Sequence, residues 1–294
     1  MPRTTWISPR SSVTSNPPTG SGTGTKERGL KPRSFLCDRT IPLRETVCME
    51  ATAQLKPFAI DGIDVLTDPV ARERGWLVAF TSRRGGVSSN PYDTLNLAAR
   101  VGDDPGSVTE NRRRAAAAVG FDPRRLALAR QVHAKDLVDV GASDSGVLGE
   151  ADGLTVRQPG PVAAILTADC APVVVASASA IGVLHAGWRG LVAGVIEAGL
   201  EAIGSVESAW IGPCIHACCY EVGDEVTEAF VAHDLPVAGH RRVDPAQAAA
   251  AALRRSGVTN VTIAEECTHC DSNYFSYRRD GVTGRQGAFA GLLS

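Results

Sequence analysis

Three near-continuous apolar runs stand close together in the middle of the chain: Val162–Thr167, Pro172–Ala176 and Ile181–Leu184. Each is too short for a core-filling helix, and each lacks the alternating polarity of a strand with one wet face. They read as strands buried on both faces, and such strands need an apolar layer above and another below. Other periodic segments surround them. Trp76–Ser82, Leu126–His133, Leu137–Val140, Ser208–Ile211 and Val258–Ala264 read as strands, with Gly287–Leu293 closing the chain. Asp103–Val119 reads as a helix with proline in its first turn and Gly120 as its stop. Trp188–Ile203 carries an apolar stripe at 188, 191, 192, 195, 196, 199 (a glycine) and 200, and Asp224–His233 is also helical. Pro245–Ser256 forms a further helix, capped by Asp244 and stopped by Gly257. The pattern predicts an α+β (mixed α/β) layered single domain.

Composition narrows the function classes. A hydrophobic fraction of 44% with 21% charge excludes wholesale disorder. A net charge of −2 supplies no basic field, so nucleic acid is not an expected partner. The longest apolar stretch, around Ala171–Leu184, is broken by Ser177 and Ser179 and falls short of the ~18 residues of a membrane span. No membrane partner is expected. Residues 1–48 hold eight Lys/Arg and three Asp/Glu, a balance of +5, against 22 and 29 in the remainder, a balance of −7. This first stretch is rich in Ser, Thr, Pro and Gly and lacks the apolar core of a secretory signal. Residues 1–48 are therefore expected to be a disordered basic leader, or to precede a natural start at Met49. Residues 49–294 are expected to be the domain. Eight cysteines are too few for a disulfide scaffold, which points to a reducing, cytoplasmic location.

His133, Cys170 and His185 each follow an apolar strand, where side chains can converge at a sheet edge. Two imidazoles and one thiolate are the donor set of a catalytic zinc with its fourth position open. The same three residues also read as two strand-end histidines and a core thiol. Copper is disfavoured, because the two methionines, Met1 and Met49, lie outside the core and six histidines are too few for a trinuclear cluster.

Ordered motifs then accumulate: Phe80-Thr81-Ser82-Arg83-Arg84-Gly85-Gly86, Leu95-Asn96-Leu97, Asn111-Arg112, Gln131-Val132-His133 and Ala151-Asp152-Gly153. They continue with Thr167-Ala168-Asp169-Cys170-Ala171-Pro172, His185-Ala186-Gly187-Trp188-Arg189-Gly190, Ile211-Gly212-Pro213-Cys214-Ile215, Phe275-Ser276-Tyr277-Arg278-Arg279-Asp280 and Thr283-Gly284-Arg285-Gln286. From about Phe58 onward the chain resembles the laccase-domain family, variously called peptidoglycan editing factor, polyphenol oxidase or purine nucleoside phosphorylase. The resemblance implies an α/β/β/α sandwich with mixed sheets and one zinc ion held by His133, Cys170 and His185. It also implies purine nucleosides and phosphate as partners. The implied activities are phosphorolysis of adenosine, inosine, guanosine and methylthioadenosine, together with adenosine deamination. Ala134 and Ser177 depart from the family pattern at positions beside the implied site.

Zinc lowers the pKa of bound water to ~7, which suits hydroxide attack on the purine C6. Asp169 is the candidate for proton transfer or for orienting a ligand, although it also reads as a turn cap. Arg83, in the glycine-rich loop, is the leading phosphate ligand, with Asn96, Arg278 and Arg285 as further substrate- or phosphate-binding candidates. Tyr92 and Phe275 are the candidates for stacking a base, whereas Trp188 and Trp210 read as core. His216, His233 and His240 read as exposed or loop-borne. Cys267-Thr268-His269-Cys270 has zinc-knuckle spacing, with Cys214, Cys218 and Cys219 as a conceivable second pair, but ordinary thiols are the simpler reading. A rival enzyme class makes Cys170 a nucleophile with His185 as its base, in an amidase editing peptidoglycan precursors. A third class, a non-catalytic scaffold, leaves the donor trio unexplained. Oligomeric state is left open.

Overall fold

The alternation hidden within the apolar runs emerges once the chain folds. Along Val162–Thr167, Val162 and Ala164 enter one core while Ala163 and Ile165 enter another. Along Ala171–Ala176, Val173 and Val175 face helices while Val174 and Ala176 face the opposite way. In Ile181–Ala186, Ile181 and Val183 lie on one side and Leu184 and Ala186 on the other. A strand has side-chain period two, so a strand between two apolar layers must be apolar at every position.

The computed structural model describes residues 54–294; the leader expected at 1–48 lies outside the described residues. One mixed sheet has the spatial order β1 (Lys56–Ile60), β2 (Ile63–Thr67), β3 (Trp76–Thr81), β15 (Gln286–Leu292), β8 (Val162–Thr167), β4 (Leu126–Arg130) and β6 (Gly146–Glu150). The second has the order β14 (Val261–Ile263), β11 (Ser208–Ile211), β9 (Ala171–Ala176), β10 (Ile181–Ala186), β7 (Gly153–Val156) and β5 (Leu137–Val140). A small ribbon pairs β12 (Val237–Gly239) with β13 (Arg242–Val243). Phe80, Ile165, Val174, Val183 and Trp210 fill the space between the two large sheets.

Helix α2 (Pro105–Val119) covers the outer face of the first sheet through Ala115 and Val119. The outer face of the second is covered by α3 (Trp188–Ala193), α4 (Val195–Ile203), α5 (Asp224–Ala232) and α6 (Pro245–Arg255). Two short helices, α1 (Pro69–Glu73) and α7 (Tyr277–Asp280), complete the set. The layers are α/β/β/α, as expected. None of these helices is long and apolar enough to cross a membrane among the described residues.

Local signals explain most boundaries. Asp104 accepts the Ser107 N–H at 2.7 Å to start α2, and Gly120 ends it in the left-handed region at φ 89°. The helix expected over Trp188–Ile203 is instead two helices, because Gly194 adopts φ 88° and closes α3 before α4 begins. The apolar stripe continues across the break because Leu191, Val195, Ile196 and Ile203 all face the same core. The strand expected to reach His133 ends at Arg130, where the chain turns towards Asp152. The strand expected over Val258–Ala264 contracts to β14.

Gly199 sits within the apolar stripe for a steric reason. A Cβ there would lie 2.4 Å from Cδ1 of the buried Leu184. Gly199→Ala is expected to destabilise the fold by about 1–3 kcal/mol through overpacking, read as a lower urea midpoint at an unchanged m-value. An unchanged midpoint would show that Leu184 moves aside without cost.

Candidate active site

Asp152 lies one residue before β7, which pairs antiparallel with β10 so that Gly153 faces Leu184. That register brings Asp152 beside His185. The His185 N–H donates to the Asp152 carbonyl at 2.7 Å, and His185 Nδ1 lies 2.7 Å from Asp152 Oδ1. The same fully buried carboxylate accepts the main-chain N–H groups of Val132, His133 and Ala134 at 3.0, 2.9 and 2.7 Å. Burial pushes Asp152 up, but His185 and the amides outweigh it and hold the acid at about 2. His133 has φ 62°, a left-handed conformation unusual outside glycine, within the turn that aims three successive amides at one carboxylate.

The hairpin of β9 and β10 places Ala171 across from Ala186, so Cys170 emerges at the same end as His185. The donor atoms of His133, Cys170 and His185 lie within 4.8 Å of one another. Cys170 Sγ is 3.9 Å from His133 Nε2, and the two imidazoles meet edge to face with centroids 4.7 Å apart. Gly187 lets the main chain close over them. A Cβ there would lie 2.9 Å from His133 Cδ2 and 3.1 Å from Cys170 Sγ.

With Nδ1 of His185 engaged by Asp152, Nε2 is the ring atom left for a metal, and the carboxylate behind it fixes the tautomer. Two imidazoles and a thiolate at this separation fit a four-coordinate zinc with one position open. Residues 54–294 contain no methionine, the usual axial partner of a two-His, one-Cys copper site. Burial pushes the Cys170 thiol up, but the charge on His185 and hydrogen bonds from both histidines bring it down to about 6. Burial works against a charged His185 as well, yet the thiolate and Asp152 raise it to about 9. Both shifts favour a thiolate beside an imidazolium when no metal is bound.

The trio stands where two cavities meet. The larger, about 520 Å³, is bordered by all three residues together with Arg100, Arg112 and Arg285. The smaller, about 230 Å³, shares His133 and Cys170 and adds Asp169, Arg189, Tyr220 and Arg278. Tyr277 borders both.

The other sequence candidates divide by position. Arg285 reaches the larger cavity with NH1 on the carbonyls of Thr283 and Gly284, both at 2.8 Å. Asn96 is buried behind it and accepts the Arg285 N–H at 2.9 Å, so it supports the arginine from outside the cavity. Arg278 lies over Tyr220 beside the smaller cavity. Asp169 accepts Thr268 Oγ1 at 2.7 Å and the Arg278 N–H at 2.6 Å. Arg83 borders neither cavity. Its guanidinium pairs with Asp93 and Asp280 and covers the face of Phe275. Phe275 is fully buried and Tyr92 donates its hydroxyl to the Val101 carbonyl, so neither lines the cavities expected to need a stacking ring. Trp210 is core, whereas Trp188 also borders the smaller cavity. His216, expected to be exposed or loop-borne, lies on a loop and is partly buried, with Nδ1 3.1 Å from Asp244. Sequence reasoning missed Asp152, Arg100, Arg112 and Tyr277 as site residues. Asp152, Arg112 and Tyr277 stood within the family motifs, but only the folded chain reveals what their side chains face.

Comparison with known proteins adds four observations. Residues 77–293 match the family described as multi-copper polyphenol oxidoreductase laccase. The chain is 38% identical over 233 residues to the Escherichia coli protein named purine nucleoside phosphorylase YfiH, covering 75% of this chain and 95% of that one. It is 39% identical over 230 residues to the Streptomyces griseus purine nucleoside phosphorylase ORF3, covering 73% and 93%. Among solved structures, YlmD from Geobacillus stearothermophilus superposes with a TM-score of 0.74 at 31% identity, covering 82% of this chain and 99% of YlmD.

Two outcomes test the electrostatics. In metal-stripped protein, alkylation of Cys170 should follow a titration centred near pH 6, against an ordinary thiol value of ~8.5. A midpoint at the ordinary value would contradict the ion pair. Asp152→Asn should weaken metal binding by about 10–100-fold in a competitive chelator titration, and unchanged affinity would remove the carboxylate from its role.

Proposed function

Because the chain belongs to the multi-copper polyphenol oxidoreductase laccase family, with relatives named purine nucleoside phosphorylase, we propose that it is a zinc-dependent purine nucleoside enzyme. Its reactions are phosphorolysis of adenosine, inosine, guanosine and methylthioadenosine, and deamination of adenosine. The observation that carries this reading is the donor trio at the meeting of two arginine-bordered cavities. The larger cavity falls within the ~300–1,000 Å³ of small-molecule sites and accommodates a nucleoside. His133, Cys170 and His185 would hold the zinc, which when bound would supply Lewis acidity and lower the pKa of water towards ~7.

The chain's own residues do the rest. In phosphorolysis a phosphate oxygen bonds to ribose C1′ as the glycosidic bond breaks, and the purine leaves with the electron pair and takes up a proton. Arg285 and Arg278 stand in the two cavities as guanidinium partners for the phosphate oxygens. Asn96 holds the Arg285 main chain, while Arg83 braces the loop behind it through Asp93 and Asp280. In deamination the water oxygen replaces the C6 amino group, and the departing ammonia needs a proton. Asp169, bordering the smaller cavity beside Cys170, is the residue we assign to move it.

One observation favours a second reading. Asp152, His185 and Cys170 have the connectivity of an acyl-transfer triad, with the acid on Nδ1 and a thiolate at neutral pH. In an amidase acting on peptidoglycan precursors, Cys170 would bond to the amide carbon and His185 would give its proton to the leaving amine. Water would then release the acid from the thioester. Metal separates the two readings, because a thiolate bound to zinc is not free to attack.

The deciding assay offers adenosine and inosine with and without phosphate and reads hypoxanthine, adenine and ammonia, before and after removal of metal. Phosphate-dependent base release and phosphate-independent ammonia release, both lost with the metal, are expected. Full activity in rigorously metal-free protein would overturn the zinc reading. Arg285→Met should lower phosphorolysis at least about tenfold and leave deamination within a few fold; equal loss of both would remove its phosphate role. Asp169→Asn should lower deamination by about 10²–10⁴-fold.

A further inference from the structure

Away from the donor trio, four more thiols gather on the loops that follow β11 and β14. These strands are parallel neighbours, and a further bridge between Cys214 and Cys267 carries their pairing into the loops. The loop after β11 therefore delivers Cys218 and Cys219 to the place where the other delivers Cys267 and Cys270. Their sulfur atoms all lie within 4.8 Å of one another. Cys218 Sγ is 3.6 Å from Cys267 Sγ and 3.7 Å from Cys270 Sγ, and Cys219 Sγ is 3.1 Å from Cys270 Sγ. Zinc–sulfur bonds of ~2.3 Å in a tetrahedron put sulfurs about 3.8 Å apart, close to the 3.6 and 3.7 Å that separate Cys218 Sγ from Cys267 and Cys270. We propose that Cys218, Cys219, Cys267 and Cys270 form a second metal site, a closed four-sulfur zinc site separate from the donor trio.

The surroundings suit such a charge. Four thiols binding one zinc ion release four protons and leave a complex of charge −2. The His216 N–H donates to Cys267 Sγ at 3.4 Å. Arg242 NH1 sits on the carbonyls of Ala217 and Cys218 at 3.0 and 2.9 Å, and Arg279 NH1 sits on those of Thr268 and His269 at 2.8 and 3.2 Å. Two guanidinium groups are thus fixed to the main chain of the ligand loops. Cys214 is fully buried and is not part of the cluster.

Four protein sulfurs fill a tetrahedron and leave no position for substrate, so this site is structural. What it fixes is the wall of the smaller cavity. Ile215, on the first loop, donates its N–H to the Asp169 carbonyl at 2.9 Å, and Thr268, on the second, donates its hydroxyl to the Asp169 carboxylate at 2.7 Å. Asp169 precedes Cys170 and has φ 93°, a left-handed conformation that a non-glycine residue keeps only when its surroundings impose it. The zinc cross-links the two loops that impose it.

The test uses the full chain purified under reducing conditions from zinc-supplemented culture. Native mass spectrometry should find two zinc ions per chain, and Cys170→Ser should keep one. That remaining ion should be lost in a Cys170→Ser chain also carrying Cys267→Ser and Cys270→Ser, with a lower Tm. Cobalt loaded into Cys170→Ser should give intense thiolate-to-metal charge-transfer bands typical of four sulfur ligands, a readout that survives if the triple variant fails to fold. A zinc-free Cys170→Ser chain would overturn the proposal. So would a wild-type mass two hydrogens low from a bond between Cys219 and Cys270.

Discussion

Five hydrogen bonds from one short stretch of chain determine where the chemistry can occur. The Asp152 carboxylate takes three successive amides from the turn at residues 132–134 and the imidazole of His185, while its carbonyl takes the His185 amide. These bonds fasten a loop that follows the first sheet to a strand pair of the second. Removing the carboxylate would leave three part-buried amides and the buried His185 imidazole without their acceptor, the last a loss of about 1–3 kcal/mol. His133 and His185 are positioned by that one acid. Cys170 joins them through the hairpin of β9 and β10, and Gly187 leaves the space they need.

The same acid sets the electrostatics. It holds charge on His185, and His185 holds charge on Cys170. In metal-free protein this favours the thiolate form of Cys170; for a metal it provides a set of donors already gathered in one place. One arrangement therefore supports two chemistries that differ only in occupancy of the sulfur. The arginines around the two cavities add anion-binding capacity to a chain whose overall charge is slightly negative.

Much of this was legible in the sequence. Apolar runs such as Val162–Thr167 announced strands buried on both faces, and the proline in the first turn of α2 and the cap at Asp244 marked helix starts that the structure keeps. The trio was legible because each member follows an apolar strand. Strands carrying glycines or polar residues, such as β6 and β7, gave no periodic signal, and β7 is the strand that delivers Asp152. Helix α3 ran on into α4 in the sequence pattern because one core receives both. Arg83 stood in a glycine-rich loop like an anion ligand, yet Asp93 and Asp280, adjacent only in space, take its charge. The knuckle spacing of Cys267 and Cys270 was visible in the sequence, but only the parallel pairing of β11 with β14 selects Cys218 and Cys219 over Cys214 and brings the two pairs together.

X-ray diffraction at the zinc and copper absorption edges is the most direct test of the central claim. An anomalous peak is expected at the zinc edge bonded to His133, Cys170 and Nε2 of His185, at ~2.0–2.1 Å from nitrogen and ~2.3 Å from sulfur, with Nδ1 of His185 still on Asp152. A peak bonded through Nδ1 of His185, or one that appears at the copper edge in its place, would contradict it.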